Sequence, residues 1–352
     1  MRLRVFCLLA LLFTSTLHAQ EPFPGEGEMT AEEVAQMQAG EQAMASYYAR
    51  AATALAASGG ARDLAFAATL LQFARQAPPQ DVAMAGDTPS QPSPRDPRVG
   101  EWRGLASARA GKDVLANTLL LQADSADDGS IRQQAAGRWQ QLEPDNLAPR
   151  LFAKGAVEAW LPETRTQARF DLHYYDQLRW MQSALQAHPP GADEAAALAN
   201  GEDVPWEGAS TILASSILAA VAIPQLQPLF KACQGDALSS TPTRREDCRH
   251  VANVMADASD TSLGRSIGIT LLQSTAATPE QRADADARRL RFDWQMRQWG
   301  RVAAAQPLGG ATQFARLLRD PAVRSEQDLI ERVLGEAGVA LDPPAGWQPP
   351  RR

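Results

Sequence analysis

The sequence predicts an all-α protein, an irregular, α-solenoid-like stack of antiparallel helices. Three observations carry that prediction. Apolar residues recur at helical spacing through most of the chain, and no segment alternates as a half-buried strand does. Helix-start signals punctuate it, among them Thr30-x-x-Glu33, Thr243-x-x-Glu246 and Thr278-Pro279-x-Gln281. Short glycine or proline corners separate the apolar segments.

Residues 1–19 read as a secretory signal peptide. Arg2 and Arg4 form a basic start, Val5–Phe13 an apolar stretch too short to span a bilayer, and Ala19 ends a small-residue cleavage site. Cys7 lies inside the apolar stretch and not at the cleavage point, which argues against a lipoprotein. The expected location is therefore the periplasm or the exterior. About 330 residues would remain, enough for one large or two ordinary domains.

The region 20–76 is expected to form a helical hairpin. The Thr30/Glu33 capping box opens an alanine-rich helix to about Ala57, Ser58–Gly60 makes the corner, and Leu64, Ala67, Ala68 and Leu71 mark the second helix. Residues 77–98 carry six prolines among small polar residues and read as a linker or long loop. Helix signals resume at about Val99 and continue to 188. Within them Ile131, Ala135, Trp139 and Leu142 share one helix face, Pro144 ends that helix, and Asp145 or Asn146 can cap the next.

A second break is expected over His188–Val204, followed by a C-terminal helical region, 205–340. Its first stretch, Gly208–Phe230, holds no charge over 23 residues. Four hydroxyls, two glutamines and two prolines there favour a buried helix of small residues over a membrane span. Ser259 or Asp260 can open a helix through Leu272. Thr278 and Pro279 open another, on which Phe292, Met296 and Trp299 share a face. Ser325 opens the last, with Leu329, Ile330, Val333 and Leu334 as its apolar stripe and Gly338 at its end. The tail 341–352 is expected to be loose, with Trp347 able to pin it.

The corner Leu142-Glu143-Pro144-Asp145-Asn146 resembles the L-x-P-x-N turn that ends a repeat of the tetratricopeptide family, and Leu151 falls where the next repeat places a leucine. The likeness covers some 30–40 residues. Trp139 stands where the family has alanine, and Phe152 and Gly155 replace its small-residue and tyrosine positions. The resemblance implies a tetratricopeptide-like stack and a groove for a protein or peptide partner.

The formal charge of −7 becomes −9 once Arg2 and Arg4 are removed, so an acidic domain with no basic stripe is not expected to bind nucleic acid. Only Lys112, Lys154 and Lys231 are lysine among 34 basic residues, a bias of GC-rich bacterial genomes. Cys233 and Cys248 survive signal cleavage as an even pair and are expected to form a structural disulfide stapling a helix–loop–helix. His250 near Cys248 gives too few ligands for a metal, and no cofactor is expected.

The cluster Phe170–Trp180 is the richest in chemistry. Asp171, His173 and Asp176 suggest metal ligands or a general base. On one helix Asp171 and His173 would lie about 200° apart, whereas His173 and Asp176 would share a face. No G-x-S-x-G, S-x-x-K, phosphate-loop or dinucleotide motif occurs. The favoured expectation is a non-catalytic exported scaffold whose groove lies around residues 138–180, with Trp139, Phe152, Tyr174 and Tyr175 as partner contacts. The alternative is a periplasmic hydrolase or metal-dependent enzyme using His173 and Asp176.

Overall fold

The computed structural model describes residues 30–75, 96–122, 129–153, 155–199, 205–221, 224, 226–306 and 309–350. The expected signal peptide and residues 77–95 of the linker lie outside them. The described residues hold sixteen α-helices, two 3-10 turns and no β-strand.

The first two helices form the expected hairpin. Helix α1, Ala31–Ser58, starts at the reciprocal Thr30/Glu33 capping box and ends at Gly59, whose φ of 73° only glycine adopts freely. Its first turns are exposed, and its burial begins at Tyr47. Helix α2, Ala61–Arg75, is buried continuously from Leu64 to Leu71. It packs against α1, α3 (Pro97–Ala110) and α4 (Val114–Leu120). Its alanines let three neighbours approach, which is why the segment is apolar all round. Asp96 accepts from the Arg98 N–H and Pro97 fills the first turn, so α3 starts two residues before Val99, and the expected linker is shorter than 77–98.

Helix α5, Gly129–Leu142, carries Trp139 into the core at 1% exposure. The expected corner follows, and there the geometry departs from two long stacked helices. Helix α6 spans only Ala148–Phe152, followed by α7, Val157–Trp160, and a 3-10 turn, Leu161–Thr166. Asn146 does accept from the Ala148 N–H, but it also bonds the Asp171 backbone at both its N–H and its carbonyl. The corner is thus fastened to a non-helical segment, 167–173. That segment donates from Ala168 N to Asp145 O, accepts at Arg169 O from Leu147 N, and exchanges bonds through Phe170 with Ala258 and Asp260.

Helix α8, Tyr174–Ala187, begins after this segment and packs against α10, Trp206–Val221. The expected break at 188–204 contains a helix, α9, Ala192–Ala199, docked on α1 with Glu194 paired to Arg50 at 2.6 Å. Its alanine run with two acids in the first turn is a good helix sequence that the Pro189-Pro190 punctuation obscured. The uncharged run forms most of α10, which buries Ala214, Ile217 and Leu218, and then α11, Gln227–Ala232. No helix among the described residues is long and apolar enough to cross a membrane.

Cys233 ends α11 and bonds Cys248 in the second turn of α12, Arg244–Ala258, with both sulfurs fully buried. The Thr243/Glu246 capping box does not form. Thr243 is itself in helical conformation, and its hydroxyl donates to Asp247. Helix α13, Ser262–Thr275, is capped by Thr261, because Asp260 points away from it. Helices α12 and α13 make the tightest pair, with Gly268 against the backbone of Ala252, Met255 and Ala256. Helix α14, Pro279–Ala305, has the expected Thr278 cap, and α15 is Gly309–Leu318. Helix α16, Glu326–Glu336, is capped by Ser325 in a box with Asp328. The tail is pinned: Ala340 O accepts from the Trp294 indole, and Trp347 packs edge-on to Trp294 at 5.3 Å.

Candidate functional site

Because α8 starts at Tyr174, His173 and Asp171 are not helical residues. The helix-wheel expectation that they face apart is corrected. His173 is the only non-glycine with positive φ among the described residues, at φ 54° and ψ 33°. Its N–H donates to Asp171 Oδ1 at 2.8 Å, which holds this turn in the left-handed region. The turn aims the imidazole back toward the α5 corner. Nε2 lies 2.8 Å from Glu143 Oε2, and Nδ1 lies 3.5 Å from Asp176 Oδ2 and 3.9 Å from Asp171 Oδ2.

Glu143 is fixed from three other directions. The Trp139 indole and the Asn146 amide donate to its Oε2 at 2.7 and 3.0 Å, and Arg169 meets its Oε1 at 3.1 Å. Arg169 also reaches Asp145 and Asp171 at 3.1 Å each. Burial opposes the charge of His173. The bonds to Asp176 and Glu143 and the charge of Asp171 outweigh it and push its pKa up to about 10. Burial likewise opposes Glu143, but its bonds from His173, Asn146 and Trp139 hold it well below the usual carboxylate range. Asp176 is lowered, chiefly by its bond to His173.

A second acidic node lies behind α8. Asp260, 6% exposed, accepts the N–H groups of Leu172 and Tyr174 at 3.0 and 2.8 Å, and so caps α8 from another part of the chain. Glu326 caps α13 in the same way, accepting from Ser262 N–H at 2.7 Å. Burial raises both carboxyls above their ordinary range, and the charge of Asp171 adds to the rise at Asp260.

His173 and Asp176 open onto a cleft of about 830 Å³. Arg179 and Trp180 of α8 continue that wall, and Arg62 of α2 with Lys112, Asp113, Val114 and Leu115 at the start of α4 form the other. Of the expected partner contacts, Trp139 and Tyr175 are core residues, 1% and 2% exposed, and present no surface to a partner. Trp139 instead supports Glu143 and lies 5.9 Å from the His173 ring. Phe152 and Tyr174 are half-buried; Phe152 packs on Trp139. The expected groove over 138–180 thus contributes one wall through residues 173–180, while Trp139 and Phe152 lie behind it around a void of only about 10 Å³.

Glu143, Arg169, Lys112 and Arg62 were not singled out from the sequence. Glu143 occupies a variable position of the corner motif, and nothing local marks a residue whose partner is 30 positions away. Among the described residues, no group of three or more His, Cys, Asp and Glu is placed to hold a metal ion. Comparison of the chain with protein-family models, curated proteins and solved structures finds no match.

Proposed function

We propose that the chain is a non-catalytic, exported partner-binding protein and that the partner docks in the cleft between α2, α4 and α8. One observation carries the reading. The cleft's imidazole has Nε2 against Glu143 and Nδ1 near Asp176, and those carboxylates hold it protonated. A general base needs a free, neutral nitrogen near neutral pH. This imidazole has neither, so it serves as a fixed charge in the wall. The buried disulfide and the expected signal peptide support export. The stacked helices support the scaffold reading, in an irregular arrangement with a short helix after the tetratricopeptide-like corner.

Photo-crosslinking in cells of the native host tests it. A benzophenone amino acid at Lys112 is expected to yield a discrete adduct, and the same group at Arg282, exposed on α14, none. Absence of any adduct at position 112 across growth conditions would overturn the reading. So would a hydrolytic activity of the purified protein that disappears in a folded His173→Gln variant, which would favour the enzyme alternative.

A further inference from the structure

Residues 340–350 run back over α14 as a strap. Helix α16 ends at Glu336, and Gly338 turns the chain with φ 67°. Four prolines follow, Pro343, Pro344, Pro349 and Pro350, and the strap is neither helix nor strand. A second left-handed glycine, Gly346 at φ 77°, completes a turn in which the Trp347 N–H donates to Pro344 O at 3.0 Å. That turn sets the Trp347 ring edge-on to Trp294.

The strap is held by its oxygens and one ring. The Trp294 indole donates to Ala340 O at 2.9 Å and the Gln295 carboxamide to Leu341 O at 3.2 Å. Asp342 pairs with Arg291 at 3.1 Å, an exposed pair that holds weakly. Among the described residues, no backbone N–H of 340–350 donates to the rest of the protein. None of those residues is buried; Leu341, Pro343 and Trp347 are half-buried and the others exposed. Beneath them Gln295 is 2% exposed, its Oε1 already taken by Gln327 at 3.2 Å, so its Nε2 is a buried donor aimed at the strap's carbonyl. Helices α14 and α16 pack on each other directly, so the strap is not what joins them.

We infer that this face of α14 is a docking site for a proline-rich segment of a partner protein, kept closed in cis by the strap. The segment seated there defines the chemistry: an acid on Arg291, prolines, and an aromatic ring on Trp294. Its contacts are those of a docked peptide, with backbone carbonyls meeting side-chain donors beside an aromatic ring. Protein surfaces that read proline-rich segments use the same groups, because such a segment is stiff and leaves its carbonyls free. A stretch with no buried residue and few bonds opens at low free energy, so a competing segment finds the site without global unfolding. Release would strip the acceptor from the buried Gln295 amide, and a partner carbonyl restores it. The face shares no lining residue with the cleft between α2, α4 and α8, so this inference does not depend on the reading of the cleft.

The test uses the full oxidised chain, a released variant carrying Asp342→Lys and Trp347→Ala, and a fluorescein-labelled synthetic copy of residues 340–350 read by polarisation. The released variant is expected to keep its fold by circular dichroism and to bind the peptide about tenfold tighter or more than the wild-type chain, whose face is occupied. A peptide bearing the same two substitutions is expected to bind the released variant about tenfold more weakly. Adding Trp294→Ala to the released variant is expected to abolish binding, and Arg291→Ala to weaken it several-fold. No binding by the released variant, equal binding by the two chains, or binding indifferent to the peptide's substitutions or to both Trp294→Ala and Arg291→Ala would overturn the inference. A released variant that does not fold would overturn it too, by making the strap part of the structural core. So would a concentration-dependent wild-type dimer in sedimentation that the released variant does not form, since the occupant would then be the strap of a second copy.

Discussion

Replacing His173 by glutamine should flatten the alkaline limb of the stability curve. His173 titrates at about 10 in the fold, against about 6.5 in an unfolded chain. A base whose pKa is raised by folding contributes stability that is complete below the unfolded value and is lost as the pH rises through the folded one. Between those values the native state keeps a proton that the unfolded state has released. Stability then falls by about 1.4 kcal/mol for each pH unit, the slope of one proton. From pH 7.5 to 9.5 that is roughly 2–3 kcal/mol, an upper figure because the ring retains 13% exposure. Asp260, whose pKa is raised to about 8, adds a falling slope to the lower end of this range in both proteins, so the difference between the two slopes isolates His173; the buried tyrosines add theirs only above about 10. Urea denaturation followed by circular dichroism every half pH unit measures the slope in both proteins. The wild-type chain is expected to lose stability steadily across the window, and His173→Gln to lose about one proton's slope less throughout and to be nearly flat above about pH 8.5. Parallel slopes would refute the charged His173–Glu143–Asp176 arrangement.

Other outcomes follow from single sites. Gly268→Ala should lower stability by about 1–3 kcal/mol or more, because a Cβ would overlap the backbone of Ala256, Met255 and Ala252. Gly300→Ala, in α14 with open space around it, should raise stability by about 0.5–1 kcal/mol, and the difference in Tm between the two variants reads both. The Cys233→Ala/Cys248→Ala double variant should lose roughly 3 kcal/mol in denaturant unfolding, the chain-entropy value for a loop of 15 residues. The buried native bridge should resist reductant without denaturant, as thiol trapping would show. Asp260→Asn should shallow the loss of stability between pH 5 and 7, because the raised carboxyl contributes stability that fades as pH rises from its unfolded value; an unchanged slope would place that proton elsewhere.

Local grammar carried the fold a long way. The Thr30/Glu33 box, the Thr278-Pro279 start and the Ser325 start all stand as expected, since each depends on three or four consecutive residues. The disulfide was legible from the even cysteine count together with the expectation of export. Where a capping side chain had a better distant use, the local reading failed. Asp260 could have opened the helix at 262 but bonds Leu172 and Tyr174 instead, and Thr243 serves Asp247. A carboxylate that satisfies two N–H groups of another helix gains more than one that caps its own, and sequence spacing does not record which is in reach.

The candidate site was half legible for the same reason. His173 and Asp176 could be named because they are three residues apart, and a helical reading even set them on one face. Their meaning changed once the chain from 167 to 173 proved non-helical. That segment pairs with the 145–147 corner on one side and with 258–260 on the other, and so brings Glu143, His173 and Asp260 around the start of α8. Three stretches of chain, separated by 30 and 87 residues, converge on one turn. The left-handed His173 is the signature of that convergence. A cation at a helix N-terminus works against the helix dipole, and an L-residue in this region is strained by about 1–2 kcal/mol. Neither penalty would persist unless the carboxylates of Glu143, Asp171 and Asp176 outweighed both. A residue held against its local preferences by distant partners is therefore where a sequence reading should fail, and where a fixed charge in a cleft wall is to be expected.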